Sequence, residues 1–208
     1  EHARQSSIDL PFSANTGYVN TIEPDKEERS PGNRMLEGRL RSFTAMYGLP
    51  SVALRYFNVY GPRMDIHGKY TEVLSRWMDT SANGEPPLIL GDGTTSMDFI
   101  YIEDVARANI LALQSDLGDD VFNVASGVET SLNELADALL RVMGSNLKPE
   151  YGPERKVNPV SRRLADTSNA EQKLGFRSTV DLDEGLRRLV AWWNPNREAF
   201  QCSRPPSR

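Results

Sequence analysis

The chain has 208 residues, of which 38% are hydrophobic and 25% are charged, and its formal net charge is -5 with a pI near 5.2. This composition is ordinary for a globular protein of one large or two small domains, and the acidic balance argues against a nucleic-acid-binding surface. One cysteine, Cys202, excludes an internal disulfide framework, and two distant histidines disfavour a histidine-based metal centre.

The first predicted elements are a loop, a helix and a strand. Residues 1–33 are polar and aperiodic, which predicts mostly loop. Apolar side chains then recur at helical spacing from Leu36 to Tyr47, and "YGLP" ends this amphipathic helix. "VALRYF" (52–57) is apolar on both faces apart from Arg55, a pattern typical of a strand covered on both sides in a parallel α/β sheet.

The middle of the chain alternates between helical and extended patterns. "YTEVLSRWMDTS" predicts a helix over 70–81, and "PLILGDGTTSMDFIYI" predicts two strands around a Gly-Asp-Gly turn. "EDVARANILALQ" predicts a helix whose Glu103 and Asp104 suit the positive end of the helix dipole. "VFNVAS" predicts a short buried strand.

Two further helices complete the pattern. Ser131 and Glu134 have the spacing of a capping box at the start of "SLNELADALLRVMG". Asp181 is the predicted N-cap of "LDEGLRRLVAWW", and the Pro- and Arg-rich tail 194–208 is predicted to be frayed. Alternating strands and helices indicate an α/β fold, and we divide the chain into 1–33, 34–193 and 194–208.

The first candidate site follows the strand "VALRYF". Ligands of open α/β sheets bind beyond the carboxyl ends of strands, where this sequence places Asn58, Gly61, Pro62 and Arg63. The amide of Asn58 is suited to a phosphate or sugar oxygen, and Arg63 to an anion. The alternative is that Asn58 caps a turn and Arg63 is a solvated charge.

Four motifs in order carry a resemblance to a known family: "LRYFNVYGPRM", "LILGDGTTSMDFIYIEDVARAN", "VFNVASGVETSLNELA" and "RRLADTSNAEQKLGF". Together they resemble the extended short-chain dehydrogenase/reductases, in the NAD-dependent nucleotide-sugar epimerase/dehydratase branch with UDP-glucose 4-epimerase-like proteins. The resemblance runs from about Glu37 to Trp193. It implies the C-terminal part of an extended Rossmann-type NAD(P)-binding fold with a small α/β substrate-binding lobe.

The resemblance also implies roles for individual residues. The cofactor would be NAD, with Phe57 near the nicotinamide, and the ligand a UDP- or dTDP-sugar. Arg162 and its neighbour Arg163 compete with Arg155 for the diphosphate, and the spacing leaves this open. The residues implied to bind substrate are Asn58, Tyr70, Thr71, Leu90, Gly91, Arg155 and Arg162.

The sequence departs from the family at the catalytic residues. It contains no G-x-x-G-x-x-G run for the NAD pyrophosphate. No tyrosine has a lysine four residues later, and Arg29 and Asn33 stand where the family's Tyr-x-x-x-Lys pair belongs. Neither a guanidinium nor an amide serves as a general base, so we predict no catalytic residue here. A smaller departure is Met97, which stands where many relatives have a phosphate-assisting arginine and which we interpret as core filling.

Two hypotheses about function follow. In the first, the chain is the C-terminal part of a nucleotide-sugar 4-epimerase or dehydratase and is inactive alone. In the second, it is an inactive nucleotide-sugar-binding module or a truncated gene fragment. A homodimer, or a partner chain that supplies the missing half, is possible under either hypothesis. The absence of an apolar run of about 20 residues predicts no membrane span and a cytoplasmic location.

Overall fold

The structure is a computed structural model that describes residues 31–64, 73–154 and 162–201, with side chains from 35 to 197 within these ranges. Its elements confirm the predicted mixture of helices and strands with parallel pairing. In chain order they are α1 (Pro31–Tyr47), β1 (Val52–Tyr56), β2 (Asn58–Tyr60), α2 (Val73–Ala82), β3 (Leu88–Leu90), β4 (Ser96–Tyr101), α3 (Ile102–Gln114), β5 (Asp120–Val124), β6 (Glu129–Ser131), α4 (Leu132–Val142), β7 (Glu150–Gly152), β8 (Arg162–Arg163), α5 (Ser168–Leu174) and α6 (Leu182–Gln201).

Helix α1 begins at Pro31, three residues before the predicted boundary at residue 34. Proline suits the first turn of a helix because its missing N–H has no intrahelical partner there. The predicted apolar face is present but exposed: Phe43 and Tyr47 stack at 5.5 Å between ring centroids, with 54% and 62% of their surfaces accessible. In the described structure this face packs on no apolar core.

Strand β1 pairs in parallel with β5, from Val52 opposite Asp120 to Tyr56 opposite Val124. We expected β1 to be covered on both sides, but all five of its residues are only half-buried. Among the described residues, β1 pairs with β5 alone, and the apolar core lies against the one face that carries Val52, Leu54 and Tyr56. Its apolar side chains Val52 and Leu54 pack from one side against the core of β5 and α3.

Strand β4 organises the rest of the fold. It pairs in parallel with β2 and β8 and antiparallel with β6, while β3 and β7 form a separate parallel pair. Successive β4 side chains point to opposite faces, so Phe99 and Tyr101 enter a core with α2, α4 and α6. Ile100 enters a second core with α3, α5 and β5.

Both predicted helix caps are confirmed. Ser131 and Glu134 form a reciprocal capping box at the start of α4, and the Asp181 carboxylate accepts the Glu184 N–H at 2.8 Å before α6. Helix α6 differs from the prediction at its end, since it continues through Pro195 to Gln201 instead of fraying from Asn194. Arg197 holds this last part, because its guanidinium lies over the Trp193 ring and donates to Asn83.

Candidate functional site

The candidate site lies where one extended segment passes from one sheet to the next. β1 pairs with β5, β2 pairs with β4, and Phe57 is the single residue between β1 and β2. The Phe57 N–H donates to the Val124 carbonyl at 3.1 Å. Its ring is 5% exposed and packs with Ala125 and Ala165. Residue 57 therefore joins the end of β1 to the end of β5 and to the segment after β8.

Asn58, predicted to follow the strand and, in the alternative, to cap a turn, begins β2 opposite Phe99. Its side chain is buried, and Nδ2 donates to the backbone carbonyl of Asp98 at 2.8 Å. An amide nitrogen carries two hydrogens, so this bond uses half of its donor capacity. The amide is thus fixed in direction by the strand beside it.

The predicted turn follows three residues later, at Gly61. The Met64 N–H donates to the Gly61 carbonyl at 3.3 Å, and Gly61 has a φ of 148°. A Cβ built on Gly61 would lie 2.4 Å from Cγ2 of Ile102. Glycine is required here by both conformation and space, which brings the end of β2 against the start of α3. Arg63 within this turn is exposed.

A buried carboxylate that we did not predict belongs to Asp98, the residue whose backbone carbonyl accepts the Asn58 amide. Asp98 on β4 is fully buried, and its side chain accepts the Ser126 N–H at 2.8 Å, the Ser126 hydroxyl at 2.6 Å and the Gly127 N–H at 2.9 Å. The Ala165 N–H lies at 3.5 Å from the same carboxylate. Burial raises the pKa of Asp98, while the bonds from Ser126 and Gly127 act in the opposite direction.

Arg162, one of the predicted diphosphate ligands, is engaged within the protein. Its guanidinium donates twice to Glu129, at 2.7 and 2.5 Å, and the Ser96 hydroxyl donates to the same carboxylate at 2.6 Å. The bonds from Arg162 and Ser96 lower the pKa of Glu129 to about 2. Both partners are about one-third exposed, so the pair lies at the surface of the sheet edge.

Leu90 is the last residue of β3, and Gly91 follows it. Leu90 is 43% exposed, and Gly91 has a φ of 90° with its N–H donating to the Gly152 carbonyl at 3.0 Å. Leu88 and Leu90 lie over Gly152, where an added Cβ would come within 3.3 Å of each. These residues form a small exposed apolar surface.

Several predicted residues lie outside the described part of the chain. They are Tyr70, Thr71 and Arg155, together with Arg29 of the expected tyrosine position. The side chain of Asn33 is likewise outside it. The structure therefore brings Phe57 and Asn58 together and places Arg162 and Leu90 on separate strands, β8 and β3. Met97 packs against the larger core, in agreement with its interpretation as core filling.

Asp104, which we interpreted as a charge at the start of α3, has a more specific place. It is 1% exposed and accepts the Thr179 and Val180 N–H groups at 3.0 and 3.1 Å and the Thr179 hydroxyl at 2.8 Å. Burial opposes the charged form, but bonds from Arg107 and the Thr179–Val180 segment outweigh it and lower the pKa of Asp104. This carboxylate anchors the loop before α6.

Comparison with known proteins shows which family this chain resembles in sequence. The sequence profile of the NAD dependent epimerase/dehydratase family matches residues 33–125. A UDP-glucuronate 4-epimerase of Thermodesulfobacterium geofontis is 35% identical over 157 residues, which are 75% of this chain and 47% of the relative. The chain belongs to the NAD dependent epimerase/dehydratase family. It spans about half the length of the curated relatives that it matches.

Solved structures of this family agree in fold. The crystal structure of the Thermotoga maritima UDP-glucose 4-epimerase with UDP-glucose superposes with a TM-score of 0.73 at 36% identity, covering 78% of this chain and 52% of that one. The Thermus thermophilus UDP-glucose 4-epimerase in complex with NAD has a TM-score of 0.70 at 27% identity, covering 86% and 61%. NAD is therefore the cofactor that the epimerase/dehydratase family implies.

The residues that the structure describes do not by themselves fit a dinucleotide. A pyrophosphate site needs a strand, a glycine-rich turn and a helix N-terminus, and residues 31–64, 73–154 and 162–201 contain no such unit. Phe57, the predicted cofactor-side residue, is packed against two alanines. Within the same ranges, no group of three or more histidine, cysteine or carboxylate side chains is placed to hold a metal ion. None of the helices described there is both long and apolar enough to cross a membrane.

Proposed function

We propose that this chain is the substrate-side part of a UDP-sugar 4-epimerase of the epimerase/dehydratase family, and that it binds the UDP portion of its ligand. The observation that carries the proposal is the position of Asn58, whose amide is held at the sheet junction where α/β proteins bind ligands. The relatives named for UDP-sugar 4-epimerisation support the ligand class. Cytoplasmic location stays part of this proposal.

Different residues would contact different parts of the UDP-sugar. Asn58 would donate to a diphosphate oxygen with its second amide hydrogen, and the exposed Leu90 with Gly91 would contact the nucleobase. Arg155, with Tyr70 and Thr71, would complete the site from segments outside the described structure. Arg162 contributes a guanidinium with five N–H donors, so its two bonds to Glu129 leave donors for a phosphate oxygen.

Epimerisation itself would need more than this chain supplies. In the family the hydride is exchanged with NAD, and a proton must leave the sugar hydroxyl as this happens. This sequence offers no Tyr-x-x-x-Lys pair for that proton. We therefore propose that the base and the site that binds NAD come from polypeptide outside these 208 residues, either in a longer chain or in a partner chain.

Thermal unfolding tests this proposal directly. A ligand that binds only the folded state raises the midpoint by mass action, so we expect UDP and UDP-glucose at millimolar concentration to raise the midpoint of the 208-residue chain, and NAD to leave it unchanged. dTDP-glucose, which carries thymine and deoxyribose, shows whether a uridine nucleotide is selected over a thymidine nucleotide. An unchanged midpoint with both uridine ligands contradicts the proposed binding, and epimerase activity of the chain alone contradicts the missing base.

The inactive-module hypothesis has the same binding prediction and a different catalytic one. Its support is the pair of missing motifs. The two hypotheses are distinguished by mixing the chain with the N-terminal half of a family member that carries the glycine-rich turn and the Tyr-x-x-x-Lys pair. Restored epimerisation of UDP-glucose favours the substrate-side part, whereas binding without restored activity favours the inactive module.

A further inference from the structure

Asp98 joins the segments that carry the predicted site. Its carboxylate holds Ser126 and Gly127, which follow β5, and reaches Ala165 in the segment after β8. Its backbone carbonyl accepts the side chain of Asn58. One buried residue of β4 therefore bonds to three segments that are far apart in sequence.

The same segments also enclose Phe57. Its ring packs with Ala125, the neighbour of Ser126, and with Ala165. If the carboxylate of Asp98 no longer held these segments, Phe57 would lose the support of both alanines. Asn58 is covalently next to Phe57 and bonded to the Asp98 carbonyl, so its amide would lose a fixed direction as well.

The chemistry of the donors explains why a carboxylate occupies this place. An ionised carboxylate is an acceptor on both oxygens, and here each oxygen receives an N–H: Ser126 donates to Oδ1 and Gly127 to Oδ2. An asparagine would turn an N–H₂ group toward one of these donors. A buried N–H left without an acceptor loses its hydration without compensation.

We propose that Asp98 is a positioning residue for UDP-sugar binding, because it fixes the direction of the Asn58 amide through the Ser126–Gly127 turn and the segment at Ala165. This inference rests on the proposed function of the site. Asp98 itself contacts no ligand and acts through Asn58 and Phe57.

Asp104 provides a matched control. It is equally buried, lies six residues further along the chain, and accepts two backbone N–H groups and one hydroxyl from a distant loop, as Asp98 does; it differs in also accepting the Arg107 guanidinium. Its partners Thr179 and Val180 precede α6 and carry no predicted ligand-binding residue. A role in folding alone predicts the same consequences for Asp98→Asn and Asp104→Asn.

The experiment compares these two variants in the 208-residue chain by two readouts. The first is the UDP dissociation constant, measured by calorimetry on folded protein. The second is the pair of Asn58 side-chain amide signals in a ¹⁵N NMR spectrum, assigned by their loss in Asn58→Ala. We expect Asp98→Asn to shift or broaden these signals and to weaken UDP binding on the order of tenfold, and Asp104→Asn to lower the unfolding midpoint while both readouts stay at the wild-type value.

A milder pair of variants serves if Asp98→Asn or Asp104→Asn does not fold. Ser126→Ala removes the hydroxyl that donates to Asp98 at 2.6 Å, and Thr179→Val removes the hydroxyl that donates to Asp104 at 2.8 Å. Ser126→Ala should change the Asn58 signals and UDP affinity in the same direction as Asp98→Asn, and Thr179→Val should not. The positioning role is overturned if the Asn58 signals respond equally to the Asp98 and Asp104 pairs. Wild-type protein that binds no UDP instead overturns the proposed function, while the amide signals still decide whether Asp98 directs Asn58.

Discussion

Arg55 on β1 and Glu37 on α1 form an ion pair with two bonds, at 2.7 and 2.8 Å, and their side chains are only 15% and 13% exposed. The exposed apolar face of α1 gives this helix little other support from the described core. Arg55 was the exception in an otherwise apolar strand pattern, and its partner explains its presence there.

Removal of one partner of this pair should release α1. A largely buried charge without its partner is destabilising by about 3 kcal/mol, so Glu37→Gln should strongly increase amide hydrogen exchange over 35–47. Arg41→Ala is the control, because Arg41 and Asp119 form a pair whose side chains are 60% and 47% exposed. Exposed pairs contribute about 0 to 1 kcal/mol. Equal exchange in the two variants would show that the Arg55–Glu37 pair does not hold the helix.

Replacement of Asn58 should weaken UDP binding markedly, while the loss of its hydrogen bond should lower the free energy of unfolding only a little. Asn58→Ala removes one neutral bond to a backbone carbonyl, at a cost of about 1 kcal/mol of unfolding free energy, and in our proposal also removes a ligand contact. Asn123→Ala is the matched control, because Asn123 on β5 donates to the Asp166 carbonyl at 2.9 Å. Calorimetry with UDP should show weaker binding for Asn58→Ala alone. Similar affinities for both variants would remove Asn58 from the proposed site.

The contribution of the Glu129–Arg162 pair to stability should depend on pH in the acid range. Its bonds lower the pKa of Glu129 from 4.5 to about 2, so the folded state favours the ionised form. The resulting stability is fully present above pH 4.5 and is lost as the pH falls from there toward 2. The difference in unfolding midpoint between wild type and Glu129→Gln should therefore shrink over this range. Glu150→Gln, at an exposed position of β7, is the control; a constant difference for Glu129→Gln would contradict the lowered pKa.

Two helical glycines should respond in opposite directions to alanine. A Cβ at Gly185 in α6 would lie 2.0 Å from the hydroxyl oxygen of Tyr60, whereas one at Gly38 in α1 would meet nothing within 4 Å. Overpacking costs about 1 to 3 kcal/mol, and an exposed helical Gly→Ala change gains about 0.5 to 1 kcal/mol. Chemical denaturation should thus show Gly185→Ala destabilised and Gly38→Ala unchanged or stabilised. An unchanged free energy of unfolding for Gly185→Ala would show that the Tyr60 side chain can move to another position.

The helices were predictable where their signals are local. The capping box of Ser131 and Glu134 and the cap at Asp181 depend on residues three apart, and both are found in the structure. The short strands β6, β7 and β8 have two or three residues each. No periodicity can be measured over that length, since their pairing partners alone define them.

The candidate site was predictable only in part for the same reason. Asn58 drew attention through its place after an apolar run, but the nearby Gly61 and Pro62 led us to expect a turn where β2 continues the extended chain. Asp98 carries one signal, a carboxylate near the start of the apolar run "MDFIYI". Its partners at Ser126, Gly127 and Ala165 come from distant segments, so its role required the structure.

The pairing of β1 with β5 also constrains the order of folding. Val52 meets its partner Asp120 only after β2, α2, β3, β4 and α3 have intervened, and closing such a distant parallel contact is slow. During synthesis, Val52 and Leu54 must wait until the chain has grown past Val124 before they can be covered. A nascent chain of this protein therefore carries the apolar side chains of β1 without their β5 partner while residues 57–124 are made, and we expect this interval to be its period of greatest dependence on chaperones.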